Sequence, residues 1–125
     1  MIEGTDAQQA NKEVLPVWDE AQALAGVDGD RGLLIELARL FVQQATTDVA
    51  ALRLAWAQQD LGALAKAAHR LKGAVLQFSA PRAYAACRRL EEAARTGTAA
   101  ADQSLWAEAE IEVTRLIDAL RAVQG

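Results

Sequence analysis

"LAKAAHRLKGAVLQF", residues 64–78, decides the fold. At about 100° per residue, the step set by a 3.6-residue turn, Leu64, Ala67, Leu71, Val75 and Phe78 gather on one side. The other side carries His69, the only histidine of the chain. Gly62, Ala65 and Gly73 lie near its meridian, Lys66 and Lys72 flank it, and Leu76 follows one turn beyond Gly73. A stripe of this width marks a helix packed on a core, so His69 is expected to face water. A glycine inside a helix costs about 1 kcal/mol relative to alanine. At position 73 it would leave room for another molecule to reach the imidazole.

The same period runs outward in both directions. Asp30 can cap a helix over roughly 30–58, in which Leu33, Leu34, Leu37, Leu40, Phe41, Ala45, Ala51, Leu52 and Ala55 share helical spacing. Asp60 can cap the 61–78 helix, and SAP (79–81) is a turn. Pro81 opens a helix to about Arg95, with Gly97 as its stop. A last helix runs from Asp102 to about Val123. A short helix is expected over Pro16–Ala25, broken by GVDGD, and residues 1–15 read as a flexible leader or linker. The expected architecture is all-α, an antiparallel four-helix bundle over 16–125 with a short additional N-terminal helix. One bundle uses up these stripes, so a monomer is expected.

Composition narrows the function. The chain has 125 residues, 52% of them hydrophobic and 5% aromatic, and a formal charge of −4. An acidic balance argues against nucleic acid as a partner. A single cysteine, Cys87, excludes an intrachain disulfide, and one histidine with one cysteine is too few good ligands for a zinc site. No apolar run approaches the ~20 residues of a membrane span, and the polar start does not read as a secretory signal. Residues 66–95 nevertheless hold seven cations (Lys66, Arg70, Lys72, Arg82, Arg88, Arg89 and Arg95) against Glu91 and Glu92. This stretch reads either as a solvated face with local ion pairs or as a docking surface for an anionic group or acidic partner.

At these residues the sequence resembles the histidine-containing phosphotransfer (Hpt) domain family. The A-H-x-L-K-G hallmark is Ala68, His69, Arg70, Leu71, Lys72 and Gly73, and the downstream run of cysteine, L-E and a basic residue is Cys87, Leu90, Glu91 and Arg95. The resemblance spans about residues 17–122. It departs at Ser79, ten residues past the histidine, where the family often has glycine; a local change is expected at that helix junction.

The resemblance implies a phosphorelay component. His69 would be the phospho-accepting nucleophile, taking a phosphoryl group from a receiver-domain aspartate and passing it to another receiver domain. Imidazole changes charge near neutrality, so neutral nucleophile is present at pH 7 without special activation. Lys72 would offset phosphoryl charge, and Glu91 would orient the ring through Nδ1–H, although an ion pair of Glu91 with Arg88 or Arg95 is an open alternative. Gly73 and Leu76, with Lys66, Arg70 and Arg95, would serve partner docking. No G-x-x-x-x-G-K-[ST] motif is present, so no autonomous kinase activity is expected. This domain would bind no cofactor, and Mg²⁺ would sit on the receiver partner. The partners would be receiver domains of response regulators or of a hybrid sensor histidine kinase. The setting would be cytoplasmic, whether as a standalone shuttle or as the cytoplasmic portion of a membrane-bound hybrid kinase. Two rival readings are a helical protein-interaction module without phosphotransfer and the phospho-accepting domain of a chemotaxis-type kinase.

Overall fold

The computed structural model describes residues 15–98 and 102–124. Five helices occur among them: α1 (Glu20–Ala25), α2 (Arg31–Ala57), α3 (Leu61–Leu76), α4 (Pro81–Thr96) and α5 (Gln103–Gln124). Helices α2 to α5 form a closed ring of neighbours, in which α2 packs on α3, α3 on α4, α4 on α5, and α5 back on α2. Short breaks between consecutive long helices give the antiparallel bundle that the apolar stripes require.

Local chemistry sets most boundaries. The Asp30 and Asp60 carboxylates accept the N–H groups of Leu33 and Ala63, both at 3.0 Å, satisfying donors that the first helical turn leaves without partners. Pro81 occupies the first turn of α4, and Gly97 ends that helix at φ +86°. The core runs through the bundle as fully buried Leu52, Leu64, Leu71, Val75, Phe78, Leu90, Leu116 and Leu120. Phe78 closes one end of it, with ring centroids 5.2 Å from Phe41 and 6.4 Å from Trp18.

Four expectations need correction. The first helix begins at Glu20, not Pro16, because Asp19 caps it by accepting from the Gln22 N–H at 3.0 Å, while the Asp19 N–H donates to the Ser79 carbonyl at 2.9 Å. Helix α3 ends at Leu76, and residues 77–79 form a turn in which Ser79 adopts φ +49°. Leu33 and Leu40 are exposed rather than packed, since α2 buries a narrower stripe than its leucine content allows. Ala65 is buried, because α3 is covered on both flanks, by α2 and by α4. The leader assigned to residues 1–15 lies outside the described residues except for Leu15, which is exposed.

Candidate functional site

The wheel phase of α3 holds at the residues that matter. The His69 side chain is 61% exposed, and Gly73 and Leu76 are exposed further along the same face. Leu64, Ala67, Leu71 and Val75, on the opposite face, are all fully buried. A Cβ added at Gly73 would meet nothing within 4 Å, so the bundle itself does not require a glycine there.

Beside His69, α4 presents a buried acid. Glu91 is 5% exposed, with Oε2 2.9 Å from His69 Nδ1. The same oxygen accepts from Arg95 Nε at 3.0 Å and Nη2 at 2.7 Å, and Oε1 lies 2.7 Å from Lys72 Nζ. The Lys72 ammonium, then the Arg95 and His69 hydrogen bonds, outweigh desolvation and hold the Glu91 carboxyl at about 2. At neutral pH Glu91 is therefore ionised and can only accept. That assigns the proton to Nδ1 and leaves the Nε2 lone pair directed to solvent. The open question of Glu91's partners resolves toward both His69 and Arg95, whereas Arg88 pairs with Glu92.

The structure brings His69, Lys72, Glu91 and Arg95 into one cluster. Arg70 is drawn to the other flank of α3, where its Nε donates to Asp48 Oδ1 on α2 at 3.3 Å. Asp48 is itself buried and also accepts from Gln44 Nε2 at 3.2 Å. The sequence reading missed this residue. Its signal is an acid at position 48 on the helical stripe of Ala45, Val49 and Leu52.

The basic stretch is mostly neutralised locally. Arg70 pairs with Asp48, Lys72 and Arg95 with Glu91, Arg82 with Glu112, Arg88 with Glu92, and Arg89 with Glu108. Of its seven cations, Lys66 alone has no ion-pair partner among the described residues. Cys87 is fully buried, and desolvation pushes its thiol up to about 12, which leaves it inert.

Comparison with known proteins agrees with this geometry. The family model of the Hpt domain matches residues 36–123. The solved HPT domain from the Hpt sensor hybrid histidine kinase of Shewanella has the same fold, with a TM-score of 0.77 at 20% identity over 86% of this chain and 92% of that one. No curated protein matches the chain significantly.

Proposed function

The chain belongs to the Hpt domain family and has a histidine phosphotransfer role in a phosphorelay, and from that premise we propose that His69 is the residue that carries the phosphoryl group. One observation supports this reading above the others: His69 is an exposed imidazole whose Nδ1 is tied to a buried carboxylate, leaving Nε2 free.

In the proposed step, the Nε2 lone pair attacks the phosphorus of a receiver's aspartyl phosphate. The N–P bond forms as the P–O bond to the aspartate breaks, and that carboxylate departs with the bonding electron pair. The ring keeps its Nδ1 proton, because a carboxyl held near 2 is too weak a base to remove it. Glu91 instead offsets the positive charge that the ring gains. In onward transfer to a second receiver's aspartate the N–P bond breaks and imidazole leaves as a neutral ring, because Nδ1 has kept its proton. Lys72 lies one turn from His69 and has three donors, of which Glu91 occupies one side. The others are available to phosphoryl oxygens as negative charge arrives at Nε2. Gly73 and Leu76 extend the docking face beyond the ring. Mg²⁺ held by the receiver would supply Lewis-acid stabilisation to the transferring group, and the domain itself works as a cytoplasmic carrier. Among the described residues no helix is long and apolar enough to cross a membrane.

The test is incubation with an acetyl-phosphate-charged receiver domain, with wild type and His69→Gln side by side. Acid-labile, alkali-stable label on wild type alone is the expected result. Equal labelling of both proteins would place the phosphate elsewhere and end this reading.

A further inference from the structure

Between α2 and α3 the surface opens into a shallow cavity of about 210 Å³ lined by Ala51, Leu54, Ala63, Lys66 and Arg70, among others. Two of these residues define its chemistry. Leu54 is 58% exposed, so a large apolar side chain stands open to water. Lys66 is exposed and is the one cation of residues 66–95 without an ion-pair partner among the described residues. Arg70 lines the cavity and pairs with Asp48 on α2.

We infer that this α2–α3 groove is a specificity subsite of the receiver docking face, taking an apolar side chain that has a carboxylate next to it. The inference rests on the phosphotransfer role proposed for His69. Lys66 precedes His69 by three residues, a rise of about 4.5 Å along the helix. A partner that brings an aspartyl phosphate to Nε2 covers roughly 800 Å² of each surface in a standard interface, a disc about 16 Å in radius. Centred on the imidazole, such a footprint takes in Lys66 and with it the near wall of the groove. Its charge pattern states what it accepts. Leu54 offers apolar contact, and the ammonium of Lys66, paired with no acid among the described residues, is complementary to an acid of the partner. On the opposite flank of His69, Lys72 and Arg95 are held by Glu91 and offer no such unmatched charge. Lys66 thus acts on partner choice and encounter, whereas the Glu91 cluster acts on the ring.

The experiment measures transfer from an acetyl-phosphate-charged receiver domain that phosphorylates the wild type. Wild type is compared with Lys66→Glu, Lys66→Arg and Leu54→Asp, reading kcat and KM separately. Both substituted side chains are exposed, so the fold is preserved and circular dichroism checks it. Lys66→Glu and Leu54→Asp are expected to lower kcat/KM by about tenfold through KM, as for a charge reversed at an interface rim. The rate at saturating receiver should stay within about twofold of wild type, since neither residue touches the ring, and Lys66→Arg should transfer like wild type. Unchanged kcat/KM in Lys66→Glu overturns the subsite while leaving the phosphotransfer role standing. A loss in kcat at constant KM overturns it as well. A change in self-association by sedimentation, with transfer unchanged, assigns the groove to a second copy of the chain and also overturns it. A wild type that accepts no phosphate from any charged receiver overturns both the role and the subsite.

Discussion

The carboxylate of Glu91 on α4 and the imidazole of His69 on α3 meet at 2.9 Å, with the acid buried and the base open to solvent. This inversion leaves the imidazole accessible while its carboxylate partner stays buried. Glu91→Gln keeps a group able to accept from Nδ1–H but removes the negative charge that offsets the cationic ring. Phosphotransfer to Glu91→Gln should be slower by roughly tenfold or more, the scale of losing a preorganised electrostatic partner. Single-turnover transfer from a charged receiver measures it, and a rate equal to wild type would show that only the hydrogen bond matters.

The same carboxylate makes a pH signature. Its folded value of about 2 lies below the ordinary 4.5, so the folded state favours the ionised form. The stability this contributes is complete above pH 4.5 and is lost as pH falls from there toward 2. Urea unfolding across this window should therefore show wild type losing stability more steeply than Glu91→Gln, whose position 91 does not titrate. Parallel curves would mean that Lys72 and Arg95 do not hold Glu91 ionised in the folded protein.

Ser79 is the backbone counterpart of that electrostatic feature. It sits at φ +49° in the turn between α3 and α4, where its carbonyl also receives the Asp19 N–H at 2.9 Å. A side chain in the left-handed region costs roughly 1–2 kcal/mol that glycine avoids, and this is the local change expected where the family often has glycine. Ser79→Gly should raise unfolding free energy by about 1 kcal/mol after the greater freedom of glycine in the unfolded chain is allowed for. Chemical denaturation checks the sign, and a loss of stability would show that the serine side chain holds the turn.

What could be read from sequence follows the range of the forces involved. Asp30, Asp60, Pro81 and Gly97 mark helix ends correctly because capping acts within one turn. The start of α1 was misplaced because it is tied to the distant Ser79 carbonyl, which no local pattern announces. The outward phase of His69 was legible, since five large or small apolar residues define one stripe. The Asp48–Arg70 pair joins residues 22 positions apart, and Arg82–Glu112 joins residues 30 apart. Such pairs depend on how far neighbouring helices slide past each other, which composition does not specify. Sequence alone leaves the basic stretch open between an ion-paired solvated face and a docking surface, and only packing reveals that Lys66 is its one cation without an ion-pair partner among the described residues.

Gly73 separates stability from function more sharply than any other position. A Cβ there meets no atom within 4 Å and its φ is not positive, so neither packing nor backbone geometry calls for glycine. Gly73→Ala should therefore stabilise the bundle by about 1 kcal/mol, the propensity difference in a helix interior. Gly73→Trp should fold equally well, yet its indole would stand one turn from His69 on the face a receiver must cover. The expected pattern is retained thermal stability with transfer from a charged receiver reduced through a raised KM. Calorimetry and transfer kinetics on the same preparations give both readings. A Gly73→Trp protein that transfers like wild type would remove close approach as the reason for the glycine, because nothing inside the bundle supplies another.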